Sequence, residues 1–558
     1  MSLKNLFGAN KKINMWQGIH PRADFSSLQD VDGRKRLREL EIYIHIPFCV
    51  RKCGYCDFLS APAIKEQRDR YVQTLLEEIR GGAPVSALPC FLYTEPHDYI
   101  VTSVFFGGGT PSLLPAPQIA EILDALRARF YFSEDAEISI ECNPGSFSQN
   151  NICGRECKDE EGKTAQISHP EELEKSGAEE RRKSNAKDWR KAEKAEMEAY
   201  LACGINRISF GLQSADDAEL AVLGRIHTFE MFLHSYEAAR AAGFTNINVD
   251  LMSALPGQSV KSWENTLQRV LTLAPEHISA YSLIIEEGTP FYEKYHEDDL
   301  LRAGGEQPRF LPSEEDERHM VGLTERILGE AGYVHYEISN YALPGYECRH
   351  NIGYWRGTEY MGFGLGASSL LRNVPATGEC AVTKGSVRCK NPTDHAEYER
   401  LVLSGDRSDN GRDVLSLPTC DVGGALLSSP GCDTDSVGQN QNIPVGGTHN
   451  AGQNQNIPVG GAHDVGQNQN IPAFDEESFQ ILSVNDEMSE FMFLGLRMLS
   501  GVSENEFFSR FGIPIDTVYG AVLERLLSLK LLRRENGRIF LTRRGLDLSN
   551  PVMAEFLL

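Results

Sequence analysis

The sequence predicts an α/β protein built on an incomplete (β/α)6 barrel, followed by an α+β extension and a small C-terminal domain of winged-helix type. Strand-like and helix-like patterns alternate from residue 39 to residue 290, and polar residues follow several of the strands. Helices and then a hairpin pattern end the chain. Alternation of this kind gives a parallel sheet with helices outside, and functional residues then lie at the carboxyl ends of the strands.

Six barrel strands and the helices between them can be placed from hydrophobic periodicity. The apolar, strand-like runs are 42–46, 100–106, 138–140, 207–211, 248–252 and 278–283. The helical patterns between them are 67–80, 116–129, 215–223, 229–242 and 260–273.

Five parts follow along the chain. We expect an N-terminal arm (1–38), the barrel (39–290), an extension (291–403), a linker (404–475) and a C-terminal domain (476–558). The linker repeats GQNQNIP every fourteen residues, and such Asn, Gln and Gly density cannot form a core. A charged insertion at 147–196 predicts a solvated helix or disorder. Its Cys153 and Cys157 are either a second metal site or a bystander pair.

Composition limits the function. The 558 residues are 41% hydrophobic and 24% charged, as in soluble globular proteins, and the length predicts two or more domains. A net charge of −24 argues against a nucleic-acid partner. We find no secretory signal or membrane span, and thirteen scattered cysteines fit a reducing compartment. We therefore expect a cytoplasmic protein, with peripheral membrane contact left open.

Three cysteines follow the first strand in EIYIHIPFCVRKCGYCDF. Cys49, Cys53 and Cys56 have the spacing C-x3-C-x2-C. Thiolates suit iron–sulfur chemistry, and three of them leave one iron of a [4Fe–4S] cubane open for a small molecule. A zinc site would need a fourth ligand nearby. The alternative is a cysteine run that binds no metal.

This motif, with Tyr55 before the last cysteine, resembles the radical S-adenosylmethionine (SAM) superfamily. The segment YIHIPFCVRKCGYCDF is similar to sequences of the oxygen-independent coproporphyrinogen III oxidase-like family within this superfamily. That family also contains the HemW-type heme chaperones. The resemblance implies the partial barrel, a [4Fe–4S] cluster, and SAM bound through its methionine part to the open iron. It covers about 41–146, 197–403 and 485–555.

The resemblance also implies which residues bind SAM. The loop GGGTPS contributes Gly108, Gly109 and Thr110, where glycines let a ligand approach the backbone. Glu141, at the end of a strand, can accept hydrogen bonds from ribose hydroxyls. The remaining residues of this set are Tyr43, Tyr55, Gln213, Arg225, Asp250 and Ala280.

For some of these residues, the chemistry of the side chain gives an independent argument about ligand binding. The guanidinium of Arg225 suits a carboxylate, and Gln213 can bridge polar groups of the same ligand. Asp250 stands alone among apolar residues, so burial requires a ligand or structural partner for it. Ala280 offers backbone lining at best, and Glu141 has the alternative of a solvated acidic residue in a turn.

Two features separate the branches of the family. The coproporphyrinogen dehydrogenases carry a further cysteine two residues after the third, where this chain has Phe58. In addition, HNIGYW resembles a motif associated with heme binding in the chaperone branch. His350 offers an imidazole for heme iron, and Tyr354 and Trp355 offer aromatic faces. A packed aromatic cluster is the alternative, and Cys348 is a second candidate axial ligand. We also expect the glycine-rich stretch 360–369 near SAM or heme.

The predicted function is that of a heme chaperone with a cluster and SAM, which passes heme to an acceptor hemoprotein, for example a respiratory one, and takes electrons from a donor. Whether it is an enzyme stays open. The alternatives are the coproporphyrinogen dehydrogenase itself, a SAM-dependent methyltransferase or ring-opening enzyme acting on heme, and a non-enzymatic interaction module.

The last part of the chain predicts helices and a hairpin. The patterns lie at 487–499, 507–511 and 518–532, with a type I′ turn signal at Asn536–Gly537. This order resembles a winged helix, which suggests DNA binding or a compact lid. The acidic balance favours the lid.

Overall fold

One large open sheet organises the molecule. The computed structural model describes residues 37–81, 96–146, 178–374, 385–403 and 479–558. In chain order the strands of the sheet are β1 (Arg38–Ile46), β2 (Tyr99–Gly108), β3 (Tyr131–Cys142), β4 (Arg207–Gln213), β5 (Ile247–Ser253), β6 (His277–Ser282), β7 (Val334–Glu337), β8 (Asn340–Ala342), β9 (Glu359–Phe363), β10 (Ser368–Val374), β11 (Gly385–Lys390) and β12 (Phe479–Leu482). Their order across the sheet is β12-β11-β10-β9-β1-β2-β3-β4-β5-β6-β8-β7.

The predicted incomplete barrel is confirmed. Strands β1 to β6 correspond to the six predicted runs, lie side by side in chain order and are parallel, although β6 ends one residue before the predicted 283. Sequence reasoning missed β9, which pairs parallel with β1 and adds a seventh parallel strand. The other strands pair antiparallel and form the α+β extension.

Helices cover the outside of the parallel strands and form much of the C-terminal domain. They are α1 (Lys65–Arg80), α2 (Ala116–Arg129), α3 (Ala178–Cys203), α4 (Asp217–Leu223), α5 (Phe229–Ala242), α6 (Val260–Leu271), α7 (Pro290–Ala303), α8 (Glu314–Glu330), α9 (Arg349–Arg356), α10 (His395–Leu403), α11 (Val484–Gly495), α12 (Glu504–Phe511), α13 (Ile515–Ser528), α14 (Arg543–Asp547) and α15 (Ser549–Ala554). Helix α6 ends two residues before the predicted 273. The reason lies just beyond, where Ala274 has φ +49° and precedes a proline.

The two faces of the barrel strands differ in chemistry. On β1, Leu40, Ile42 and Ile44 are fully buried in the core that includes α1 and α2. Because side chains alternate along a strand, the residues between them face the barrel interior. That interior is polar, and its lining includes Glu41, Ser103, Glu137, Glu141, Arg207, Ser209, Asn248, Asp250, His277 and Ser279. Polar groups in such a place need partners or a ligand.

Helix α9 closes the barrel interior at the end where the strands begin. The backbone N–H groups of Arg349 and His350 donate to the Glu137 carboxylate. Gly353 lies so close to Glu41 that a Cβ would overlap its carboxylate. The helix carrying HNIGYW is therefore packed inside the strands, opposite the cysteine loop.

The chain after β12 joins the two edges of the open sheet. Edge strand β12 leads into α11, which packs against α9. Met498 then forms a bridge with Glu337 of the other edge strand, β7, and the Ile338 N–H donates to the Arg497 carbonyl at 3.1 Å. The gap between the edges is thus spanned by a segment of the C-terminal part of the chain.

The C-terminal part has its own core and the predicted order of elements. Strands β13 (Val502–Ser503), β14 (Leu532–Glu535) and β15 (Arg538–Leu541) form a small sheet in the order β13-β15-β14. Asn536 and Gly537 connect β14 and β15 with φ of 51° and 71°, as a type I′ turn requires. Helix α11 ends at Gly495, four residues before the prediction, since the chain turns there toward β7.

The last residues of the charged insertion belong to helix α3. From residue 191 onward one face is packed, because Glu193 is fully buried and accepts a hydrogen bond from Ser235. The expected solvated helix is therefore wrong for its last turns. Cys153, Cys157, the repeats and nearly all of the N-terminal arm lie outside the described residues. Among the described residues, no helix is long and apolar enough to cross a bilayer.

Candidate functional site

A cavity of ≈ 250 Å³ opens where the barrel strands end. Most of the residues predicted from the sequence line it, namely Cys49, Cys53, Tyr55, Cys56, Gly108, Gly109, Thr110, Glu141, Gln213, Arg225, Asp250 and Trp355. Tyr43, Ala280, His350 and Tyr354 do not line it. Phe58 lines it beside Cys56.

The cysteine loop is held by its neighbours on both sides. Phe48–Cys49 pairs with Ala61–Pro62, which closes the loop. The Gly54 N–H donates to the Leu223 carbonyl at 3.3 Å, at the end of α4, and the Gly54 carbonyl accepts from Phe291 at 2.9 Å, at the start of α7. These contacts hold the cysteine loop in place from both sides.

The three thiols lie close together beside hydrogen-bond donors. Thr110 Oγ1 donates to the Cys49 sulfur at 3.6 Å, and Arg225 Nη1 donates to the Cys53 sulfur at 3.7 Å. Burial raises the pKa of Cys56 to about 12, and the neighbouring Cys49 and Cys53 add to the shift. A bound cation would offset both effects.

The arrangement fits an iron–sulfur cluster better than a single metal ion. Within the described residues, no three His, Cys, Asp or Glu side chains converge on one point that could hold an ion. In a cubane cluster each thiolate binds a different iron, so the sulfurs surround a volume instead of a point. Three cysteines around an open cavity meet that requirement.

The glycine loop packs directly on the cysteine loop. Gly108 has φ +109°, and the Gly109 N–H donates to the Ile46 carbonyl at 2.8 Å. A Cβ on Gly109 would lie 2.5 Å from the Phe48 carbonyl oxygen. Both positions therefore need glycine for physical reasons, and their backbone is exposed to the cavity.

Two carboxyl groups face the middle of the cavity. Glu141 accepts from the Gly108 N–H at 3.2 Å, and burial raises its pKa to about 8, with a further contribution from Asp250. Asp250 accepts from Ser209 at 3.0 Å and Asn248 at 2.7 Å, and burial raises its pKa as well. Asp250 thus has structural partners, whereas Glu141 keeps acceptor capacity for a ligand.

The guanidinium of Arg225 is largely engaged by the protein. Nη2 donates to Asn143 Oδ1 and to the Gly211 carbonyl, both at 2.6 Å, in addition to the contact with Cys53. Nε has no partner among the described residues. Nε therefore remains available to a ligand, and the binding of a carboxylate by Arg225 stays a prediction.

Gln213 occupies a strained position. Its φ is +73°, which is rare for a residue other than glycine, and strand pairing is irregular between Gly211 and Gln213. Its Oε1 accepts from the Tyr281 hydroxyl at 3.2 Å. The bulge turns this side chain toward the cavity.

Some residues of the HNIGYW segment line the cavity, whereas others lie in the part of the barrel interior that the cavity does not reach. His350 is 2% exposed, bonds to Ser103 at 2.8 Å through Nδ1, and stacks on Phe105. Burial lowers its pKa to about 3, and its Nε2 has no partner among the described residues. Tyr354 packs on Tyr360. The structure thus brings Trp355 to the cavity and keeps His350 and Tyr354 behind it.

Cys348 does reach the cavity. It is 2% exposed and donates to Glu137 Oε1 at 3.4 Å. Burial and the nearby Glu137 raise its pKa above the usual range.

Three further expected contributors do not line the cavity, and their contact with SAM or heme stays a prediction. The Tyr43 hydroxyl bonds to His45 at 3.1 Å and lies behind the cavity wall. The Ala280 N–H donates to the Ser339 carbonyl at 2.8 Å, so this donor is paired within the protein. The glycine-rich stretch 360–369 packs against helix α1, where Gly364 donates to Glu78. Its glycines therefore serve the packing of β9.

Several residues that line the cavity were not expected from the sequence. Arg207, Ser209, Asn248, His277 and Ser279 belong to the inner face of β4 to β6, and alternation of polar residues along these strands could have indicated them. Glu337, Asn340 and Arg497 come from the sheet edge and the segment that joins the edges, where no local pattern indicates a site.

Fold and cysteine loop together define a radical SAM protein, and family models agree. The radical SAM superfamily model matches residues 43–156 and 183–270, and the HemN C-terminal domain model matches residues 482–548. Members of this superfamily use a [4Fe–4S] cluster and SAM.

Similarity to curated proteins assigns the chain to one family within this superfamily. The heme chaperone HemW of Escherichia coli (strain K12) is 34% identical over 334 residues, which cover 60% of this chain and 70% of that protein. HemW of Lactococcus lactis is 28% identical over 516 residues, 92% of this chain and 97% of that protein. The chain belongs to the HemW family.

A solved structure supports the fold alone. Coproporphyrinogen III oxidase (HemN) from Escherichia coli, titled a radical SAM enzyme, superimposes with a TM-score of 0.57 at 19% identity. The match covers 93% of this chain and 90% of that one.

Proposed function

We propose that this protein is a heme chaperone that binds heme and passes it intact to an acceptor hemoprotein. The observation that carries the proposal is the similarity to HemW proteins over 92% of the chain. The cysteine loop supports it, because the loop ends in Asp57 and Phe58 without the further cysteine expected of the dehydrogenase.

Cys49, Cys53 and Cys56 would hold a [4Fe–4S] cluster, and SAM would occupy the adjacent cavity. The cluster and SAM supply one-electron chemistry when bound. The protein's part is to bind, orient and shield. Gly109 lets the ligand approach the backbone, Glu141 accepts hydrogen bonds from ribose hydroxyls, and Arg225 Nε donates.

Heme would contact the same cavity from its deeper side. Trp355 offers an aromatic face there, and Cys348 is the potential iron ligand of this segment that reaches the cavity. His350 has a neutral imidazole with an unpartnered Nε2, but it can reach heme only if α9 shifts. We expect the protein to work in a reducing compartment, to use an electron donor and to deliver heme to a hemoprotein.

The test is a heme titration of the anaerobically reconstituted protein, with Cys348→Ser and His350→Ala beside the parent. Exposed His319 provides the control His319→Ala. We expect one heme per chain, weaker binding in at least one of the two variants, and no change in the control. The Soret band would distinguish thiolate from imidazole ligation.

The same preparation tests the alternatives. Absence of heme binding would contradict the proposal, and unchanged binding in both variants would remove the argument from HNIGYW. Appreciable conversion of coproporphyrinogen III would indicate the dehydrogenase. Modified tetrapyrrole together with spent SAM would indicate a heme-modifying enzyme.

A further inference from the structure

Arg497 is a buried cation whose side chain makes no ion pair or hydrogen bond within the described residues. Its side chain lines the cavity and the residue is 7% exposed. Among the described residues no carboxylate lies within ion-pair distance, and Nε has no hydrogen-bond partner. The guanidinium carbon lies 4.2 Å from the centre of the Trp355 ring. Trp355 also lines the cavity, and its own Nε1–H has no hydrogen-bond partner among the described residues.

Other buried or half-buried arginines of this region are hydrogen-bonded to protein groups. Arg388 donates to Glu490 at 2.7 Å, and Arg372 donates to Glu487 at 3.2 Å. Arg207, fully buried in the barrel, donates to Asn246 at 2.9 Å. A buried charge is costly unless it is paired. Arg497 by contrast has only the Trp355 ring and the electrostatic attraction of Glu337, so a ligand is the natural hydrogen-bond partner for it.

Only one of the two carboxyl oxygens of the nearby Glu337 has hydrogen-bond partners. Its Oε1 accepts from the Ser339 N–H at 2.9 Å and from Asn340 Nδ2, whereas Oε2 has no partner among the described residues. Burial raises the pKa of Glu337, which favours its uncharged form. In that form it repels an incoming anion less and can donate a hydrogen bond.

We propose that Arg497 and Trp355 form a receptor for a carboxylate of the ligand in this cavity and that, given the proposed function, the carboxylate is a heme propionate. A guanidinium and an indole N–H can donate to the same carboxylate, and charge-assisted hydrogen bonds of this kind are the stronger ones. The receptor lies on the segment that joins the sheet edges. A bound propionate would therefore tie the C-terminal part of the chain to the barrel.

The test compares heme with heme dimethyl ester, whose propionates carry no charge. Both are titrated into the reconstituted full-length protein, parent and Arg497→Gln, in the same mixed solvent. The parent should bind heme about 10-fold to 100-fold more tightly than the ester. Arg497→Gln should lose this preference by weakening heme binding and leaving ester binding unchanged. Arg497→Lys, which keeps the charge, should recover part of it.

Controls separate the receptor from a structural role. Arg388→Gln also removes an arginine that contacts α11, a half-buried one, but Arg388 lies outside the cavity and the variant should keep the preference for heme. Equal loss of heme and ester binding in Arg497→Gln would overturn the proposal. A fall in SAM affinity in this variant, with the heme preference intact, would overturn it in favour of the SAM carboxylate. Absence of heme binding in the parent would instead contradict the proposed function.

Discussion

Each end of the barrel interior has its own sequence motif, the three-cysteine motif at one end and HNIGYW at the other. The two motifs differ in how the structure uses them. At the cysteine end, loops follow strand ends, so Cys53, Gly109 and Glu141 all line the cavity. At the other end the motif lies on helix α9, which packs inside the strands. There Asn351 and Trp355, four residues apart, line the cavity, whereas His350 and Tyr354 face the interior. A loop motif presents most of its residues to one site, and a helical motif divides them between two faces.

The largest effect is expected from the cysteines. Cys53→Ser should lose nearly all cluster iron after anaerobic reconstitution, because each thiolate binds its own iron. Iron and labile sulfide analysis measures it. Cys203→Ser changes a free cysteine outside the cavity and should keep the parent's iron content. Full iron in Cys53→Ser would contradict the assignment of the loop.

Alanine substitutions of two glycines, one at each end of the barrel interior, compare how tightly the two ends are packed. Gly109→Ala should lower the free energy of unfolding by about 1–3 kcal/mol, because the new Cβ meets the backbone of Phe48. Gly353→Ala should cost less, because its neighbour is the tip of the Glu41 side chain. Denaturant unfolding measures both.

Gly520→Ala, on helix α13, is the control for these two variants. No atom lies within 4 Å of its new Cβ, so it should stabilise the protein by about 0.5–1 kcal/mol. A larger cost for Gly353→Ala than for Gly109→Ala would mean that the α9 end is the more rigid one.

Glu141 predicts a pH dependence at the cysteine end. Its pKa rises from 4.5 to about 8 on folding, so the folded protein binds this proton more tightly than the unfolded chain. Its contribution is complete below pH 4.5 and is lost as the pH rises toward 8, by about 1.4 kcal/mol per pH unit.

Glu141→Gln should remove that slope. The variant's stability relative to the parent should therefore rise between pH 5 and pH 8, measured by denaturant unfolding of protein without cluster or SAM. A parallel pH profile in the two proteins would contradict the burial of a carboxyl group without a cationic partner at this position.

Local patterns were enough to predict the barrel strands and the cysteine loop, and the family resemblance added the other residues of the cysteine end. The six strands, the glycine loop and Glu141 depend on residues near one another in the chain, and strand ends of a parallel sheet meet at one edge. The α9 end depends on tertiary packing. Nothing near HNIGYW indicates that Ser103 and Glu137 bind the first turn of α9.

The joining segment could not be predicted for the same reason. The pattern at 487–499 predicts a helix, but the turn at its end brings Arg497 next to Trp355, 142 positions earlier in the chain. Strand β9 was missed because its partner β1 lies more than 300 residues away. Contacts of this kind leave no periodic signal in either segment.

Transfer of intact heme is the most direct test of the central claim. The anaerobic protein is loaded with one heme and SAM and mixed with an apo-hemoprotein, and the Soret bands of donor and acceptor are followed over time. The account predicts that heme appears unmodified in the acceptor and that SAM is not consumed. Heme that stays on the protein, or leaves it chemically altered while SAM is consumed, would contradict it.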